Sequence, residues 1–343
     1  MSDSQTQSGG APPLHAQLIQ MGMGFIPARA LYLAAKLGLA DYLADGPKSA
    51  AEIAGPMGVH ERSLHRLMRM LSSLGVFTEV AGGRFASNAL GETLQSGAPG
   101  SARATLQAFG GWCWNAFGEM GYSVETGKSA FTKVYGMAPF EWMSKEPEEA
   151  ALFGETMIGF HGAEPPAVAE AYDFSSFGTV VDVGGSTGNM LVHVLGRHSG
   201  PRGVLFDLPV TVADAPAFLK QHEMEERIII EAGSFFESVP GGGNAYILSH
   251  VIHDWSEEQC LTILGNCRKV MKPESKLLIV EFVLPSDNSP HPGKFLDMVM
   301  LTVAGGEERT AEEYSALLAK VGLRMTRVIP TASAASIVEA VLA

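Results

Sequence analysis

Thr179–Val–Val–Asp–Val–Gly–Gly–Ser–Thr–Gly–Asn–Met–Leu–Val–His–Val–Leu195 is the stretch whose reading decides the fold. Five apolar-rich residues form a short strand, Gly184–Gly188 a glycine-rich turn, and the remainder a helix. A strand–turn–helix of this kind brings backbone amides and a helix N-terminus up to a ligand. Spacing narrows the ligand. A dinucleotide fingerprint needs glycine at 184, 186 and 189, but Ser186 and Asn189 stand there. No Gly–Lys–Ser/Thr follows, so the loop is not built to grip phosphate. What remains is Asp182 near the strand end with Gly184, Ser186 and Gly188. That loop lets backbone pass close to a nucleoside-like ligand without neutralising phosphate.

Further strands follow on the C-terminal side. Gly203–Val–Leu–Phe206 ends in Asp207, 23 residues past Gly184, where a carboxylate can accept both hydroxyl protons of a ribose. Arg227–Ile230 is the third strand; after it, Phe235 is placed to stack on an adenine and Ser234 to bond its edge. The fourth, Asn244–Leu248, runs into Ser249–His250–Val–Ile–His253–Asp254–Trp255. Ser256 and Gln259 then have capping-box spacing, as do Thr310 and Glu313 before a helix to Val321. Lys276–Val280 is the fifth strand, ending in Glu281, and Arg324–Ile329 with Ser336–Ala340 reads as an antiparallel hairpin. Every acidic or imidazole candidate lies just beyond the carboxyl end of a strand. In an open α/β sheet that edge binds ligands.

The first half reads differently. Helical spacing over Ala28–Leu43, a short helix at Ala50–Met57, an apolar stripe over His60–Gly75 and a two-stranded hairpin within 76–86 make a winged-helix pattern. Arg62, His65, Arg66 and Arg69 suggest a DNA-binding helix, but charge argues against it. Residues 1–100 carry seven basic and seven acidic residues, and the whole chain of 343 is net −13. A packing or dimerisation module suits that balance better than a polyanion binder. Residues 101–170 are helical and rich in aromatics and Met, the composition of a core or of a lid over a flat ligand. The expected division is 15–95, 96–170 and 171–343, with residues 1–14 a disordered tail. Three cysteines (Cys113, Cys260, Cys267) exclude a disulfide scaffold and favour a reducing, cytoplasmic setting. The start lacks a signal-peptide pattern, and Arg29, Lys36 and Asp41 interrupt the apolar run from Met21 to Leu43, so no membrane span is expected.

In order, DVGGSTG (182–188), FDLP (206–209), HVIHDWSEEQC (250–260), EFVLP (281–285), DMVML (297–301) and GGEERT (305–310) resemble the S-adenosylmethionine-dependent O-methyltransferases of the caffeate/acetylserotonin type. The resemblance covers nearly the whole chain. It implies a Rossmann-like domain with a mostly parallel seven-stranded sheet and an N-terminal, mainly helical dimerisation domain, hence a homodimer. It also implies S-adenosylmethionine as cofactor, its demethylated product S-adenosylhomocysteine, and an aromatic small-molecule acceptor, with neither nucleic acid nor membrane as partner. His253 matches the general base, Glu308 its orienter, and Glu281 flanks them. Asp182, Gly184, Gly188, Asp207, Ser234, Phe235, Ser249 and Trp255 match the cofactor site. Trp112, Met157, Phe160, His161, Phe295, Met298 and Val299 match the acceptor pocket. Ser234 stands where the family commonly has Asp, and Ser249 where plant members often have Lys.

The chemistry follows from the groups. A sulfonium leaving centre needs no metal, and no His/Cys/Asp cluster in the sequence has zinc spacing. A neutral phenol is a weak nucleophile, so a near-neutral base such as His253 is required, with Glu308 or Glu281 accepting from the other ring nitrogen. His250 reads as structural or pocket-lining. Two other readings keep the same features: a relative that retains the cofactor but performs decarboxylation or hydroxylation, and a winged-helix ligand-sensing regulator, which would need a basic face.

Overall fold

The computed structural model describes residues 12–98 and 100–343. Residues 1–11 of the expected tail lie outside the described residues; the tail reading stops at Pro13, because Leu14–Gly22 is helical. The described chain forms two compact units. One comprises the residues up to Trp112 together with Glu148–Gly159; the other comprises Cys113–Pro147 and Phe160–Ala343. The stretch 96–170, expected as one connector, is therefore shared between them.

In the first unit, helices Phe25–Lys36, Ala50–Met57 and Glu61–Ser73 surround Ala34, Leu39, Ile53, Met68, Leu71, Phe77 and Phe85. Ser49 and Glu52 cap the second helix reciprocally, and Gly75, at φ 78°, turns the chain out of the third. The expected two-stranded wing has a third member: Lys48–Ser49 pairs with Phe85 and Arg84, giving a three-stranded sheet. A two-residue strand carries too little periodicity to be read from sequence. Leu14, Leu18, Met21 and Phe25 are more than half exposed. Taken across the turn at Met23–Gly24, Leu14–Lys36 has the length and apolar character of a membrane span. Neither helix within it is that long: Leu14–Gly22 has 9 residues and Phe25–Lys36 has 12.

The second unit is built on a seven-stranded sheet. Its strands are β1 (Thr179–Val183), β2 (Arg202–Asp207), β3 (Ile228–Ala232), β4 (Ala245–Ser249), β5 (Lys276–Glu281), β6 (Leu323–Pro330) and β7 (Ser336–Leu342). The order is β6-β7-β5-β4-β1-β2-β3, and only β7 runs antiparallel to its neighbours. The near-continuous Val, Ile and Leu in these strands follows from burial on both faces. On one face Val180 packs with Leu191, Val194 and Leu205; on the other Val181 and Val183 pack with Ile263, Leu264 and Tyr314. Each such side chain contributes roughly 1.5–3 kcal/mol. Strand order reverses direction between β1 and β4, so the crevice at their carboxyl ends is where this architecture places a ligand. The three cysteines are free and buried.

Candidate active site

The turn after β1 is fixed before any ligand arrives. The amides of Gly184 and Gly185 both donate to the Phe206 carbonyl, at 2.8 and 3.3 Å. Gly184 has φ 79°, and a Cβ there would meet Val251 Cγ2 at 2.8 Å and Phe235 Cε1 at 3.6 Å. Glycine is therefore required by both conformation and space. At the end of β2, Asp207 accepts from the amides of Leu208 (2.7 Å) and Ser186 (3.0 Å). Burial holds its carboxyl above the usual range, against the pull of those amides. Asp182 is fully buried, neither of its oxygens has a partner, and burial with the Asp207 charge pushes its pKa up to about 7. Phe235 packs edge-to-face on Trp255 with ring centroids 6.0 Å apart, beside Gly184. Ser234 turns its hydroxyl to the amide of Phe236 at 3.3 Å, and Ser249 closes β4 opposite Val280.

These groups fit a nucleoside cofactor bearing a ribose and no phosphate. The pinched glycine cradle admits close backbone approach, Asp207 offers acceptors at the end of the second strand, and the unpaired Asp182 oxygens lie below the same turn.

His253 lies on the short helical turn Ile252–Asp254, directly after β4, and is buried. Its Nδ1 is 2.6 Å from Glu308 Oε1, and its Nε2 is 3.7 Å from Asp254 Oδ1. The GGEERT loop is shaped for this contact. Glu308 donates its amide to Asp297 Oδ1 at 2.9 Å, and Glu307 donates its amide to the His253 carbonyl at 3.0 Å. A Cβ on Gly306 would fall 1.9 Å from that carbonyl, so no other residue fits. Arg309 is buried behind the dyad and reaches Glu307 at 2.9 Å. Burial pulls the His253 imidazole down, but Asp254, the Glu308 contact and Glu281 outweigh it and push the pKa up to about 10. The expected near-neutral base is thus displaced upward, because the carboxylates around it are as buried as the ring.

Glu281 flanks His253 as expected, but through the backbone. It does not pair with the ring. Its Oε1 accepts from the amides of Val251 (3.1 Å), Ile252 (2.6 Å) and His253 (3.1 Å), and Oε2 accepts from the Tyr314 hydroxyl. A fully buried carboxylate thereby satisfies three amides of an irregular turn, which makes Glu281 a backbone clamp rather than a second orienter.

The residues expected to line the acceptor pocket belong to both units. Trp112 and Met157 belong to the first unit, where Trp112 is buried with its ring 6.4 Å from that of Phe153. In the second unit Val299 packs on the sheet core, Met298 is half-buried, and Phe295 is 81% exposed. The resemblance alone put Phe295 in the acceptor pocket. Phe160 packs edge-to-face on His161 at 5.0 Å.

One cluster has no counterpart in the sequence reading. His161 Nδ1 lies 3.1 Å from Glu164 Oε1, and His250 Nε2 meets Glu164 Oε2. Donor atoms of the three lie within 4.8 Å of one another, the spacing of a cation-binding group. Only an imidazole three residues from a carboxylate hinted at it, and its partner is 86 positions away.

The chain matches the O-methyltransferase domain over residues 117–324 and the O-methyltransferase dimerisation domain over 19–97. It is 41% identical to the phenazine O-methyltransferase of Lysobacter antibioticus, over 98% of this chain and 99% of that one. It is 37% identical to the O-demethylpuromycin O-methyltransferase of Streptomyces alboniger, over 91% and 84%. Among solved structures it superposes with a TM-score of 0.83 on the neocarzinostatin-biosynthesis O-methyltransferase bound to S-adenosylmethionine and 2-hydroxy-5-methyl naphthoic acid. That likeness holds at 32% identity, covering 92% of this chain and 96% of that one. The cradle after β1, the acid ending β2 and the His253–Glu308 pair fit the same chemistry, and the chain belongs to the S-adenosylmethionine-dependent small-molecule O-methyltransferases.

Proposed function

We propose that the enzyme methylates a phenolic hydroxyl of an aromatic small molecule, that His253 is the general base, and that no metal ion takes part. The observation that carries this reading is the buried 2.6 Å contact between His253 Nδ1 and Glu308. A carboxylate can only accept, so Nδ1 holds a proton and Nε2 is the nitrogen that takes one from the acceptor. Gly184, Gly188, Asp207 and Phe235 would hold the cofactor; bound there, S-adenosylmethionine supplies an electrophilic methyl on a sulfonium. Glu308 and Asp254 stabilise the imidazolium that forms on His253, and Glu281 fixes the backbone that aims it. Relatives named for phenazine, puromycin and naphthoate acceptors support an aromatic ring.

Incubation with isotopically labelled S-adenosylmethionine and a phenol library should yield a product heavier by one methyl group. His253→Ala should lower kcat about 10²–10⁴-fold while cofactor affinity stays within a few-fold. Wild-type single-turnover rates in that variant would remove the base assignment.

We also propose that residues 15–95 form a homodimer interface, with the exposed Leu14, Leu18, Met21 and Phe25 flanking or lying within it. Sedimentation velocity should show a dimer, and Phe25→Glu should weaken it. A compact monomer at all concentrations would refute the interface.

A further inference from the structure

Glu164, the first residue of the helix Glu164–Ala171, is buried between two imidazoles. Those two hydrogen bonds, the largest lowering influences against its burial, hold its carboxyl near 2, so it is ionised and can only accept. Both rings must therefore donate to it. His250 is thereby locked as the Nε2–H tautomer, with its lone pair on Nδ1. That Nδ1 is buried and has no hydrogen-bond partner. Burial, with His161 and His253 close by, pushes the His250 pKa down to about 3 against the pull of Glu164, so the ring stays neutral. The backbone is unusual as well. His250 has φ 50°, a left-handed conformation that a side chain adopts only where surroundings impose it. Its ring lies tilted against that of His161 with centroids 3.8 Å apart, edge-on to Phe282, and 5.1 Å from the ring of His253. A strained residue thus holds a lone, oriented acceptor beside the base.

We propose that His250 Nδ1 accepts a hydrogen bond from a hydroxyl or amino group that the aromatic acceptor carries next to its reacting oxygen. The preferred acceptors are then of catechol or aminophenol type rather than simple phenols. This rests on the function proposed above and names the substrate class for it. The physical reason is asymmetry: a ligand lacking the donor leaves a buried acceptor unpaired, which lowers affinity about ten- to a hundredfold. Glu164 and His161 are positioning residues, acting through the tautomer and the ring contact.

Two measurements test it, neither needing turnover. In protein labelled with ¹⁵N-histidine, long-range ¹⁵N–¹H spectra should show His250 as the Nε2–H tautomer, without titration between pH 6 and 8. Glu164→Gln should release that lock. A protonated Nδ1 in the wild type, or an unchanged tautomer in Glu164→Gln, would overturn the proposal. Calorimetry on the S-adenosylhomocysteine complex should find 1,2-dihydroxynaphthalene bound at least tenfold tighter than 1-naphthol. His250→Phe, with Glu164→Gln as the second variant, should bring that ratio close to one. Four results would overturn the assignment: equal affinities in the wild type; no binding of either ligand; an unchanged ratio in both variants; or one-to-one zinc binding that shifts the His161 and His250 signals together. Absence of methylated product, by contrast, would count against the function proposed above and leave the binding ratio to be read independently.

Discussion

Glu308→Gln isolates the charge beside His253, the proposed base. The carboxylate lies 2.6 Å from His253 Nδ1 and its side chain is wholly shielded from solvent, so water does little to screen the pair. A buried hydrogen bond with a charged partner contributes about 1.5–3 kcal/mol, and one pKa unit corresponds to about 1.4 kcal/mol. Glutamine keeps an acceptor oxygen near Nδ1 but removes the charge. The His253 pKa, about 10 in the wild type, should fall by about one to two units. In kcat/KM against pH the rising limb should shift downward by that amount, and its plateau should drop about ten- to a hundredfold because the imidazolium is less well held. Glu281 cannot take over, since its oxygens are committed to three amides and Tyr314. Glu281→Gln is the matched control: it should move the limb less and lower Tm more. A limb that stays in place in Glu308→Gln, or moves further in Glu281→Gln, would refute the division of labour between the two carboxylates.

Two other outcomes follow from the cofactor side. Asp207→Ala should weaken S-adenosylmethionine binding by about 1.5–3 kcal/mol, the value of a charge-assisted hydrogen bond, and unchanged calorimetric affinity would remove Asp207 from the site. Asp182, with its pKa raised to about 7 from 3.8, costs the folded state nothing below pH ~4 and progressively more up to about pH 7. Asp182→Asn should therefore gain up to about 4 kcal/mol over wild type above pH 7, read as a Tm difference that is present at pH 8 and absent at pH 4.

The strand–glycine loop–helix, the seven strands and both capping boxes were legible because each is local: alternation, turn chemistry and a three-residue spacing lie within one window. His253 with Glu308 was legible only through the resemblance, since 55 residues separate them. Glu281 flanks His253 as expected, but sequence shows a carboxylate at a strand end and not which donors surround it. In the fold, the turn after β4 has three amides without helical or ladder partners, and they take the nearest acceptor. The Glu164 cluster was invisible for a related reason. His161 and Glu164 lie at a helix junction and His250 follows β4, so only tertiary packing brings the three together. Phe295, which the resemblance puts in the acceptor pocket, is 81% exposed, and apolar spacing marks a helix face but not the depth at which that face is buried.

The high pKa of His253 and the base role proposed for it pull in opposite directions, and the buried carboxylates around the ring bear on both. An imidazolium formed in a dry interior is costly unless its countercharges are already in place. Here they are fixed by backbone contacts: Asp297 to the Glu308 amide, the His253 carbonyl to the Glu307 amide, Glu281 to the turn itself. Nothing has to reorganise when the proton arrives. The cost is occupancy. With its pKa raised to about 10, the ring is mostly protonated at pH 7. A stronger base gains less than tenfold in transfer rate per pKa unit but loses a full tenfold in neutral fraction, so raising the pKa alone would slow the enzyme at neutral pH. As a base, His253 would need bound ligands to lower that pKa, and a sulfonium held nearby would have the sign to do so. Under the proposed function the carboxylates around His253 would hold a proton in the ligand-free enzyme and yield it when a second positive charge entered the site.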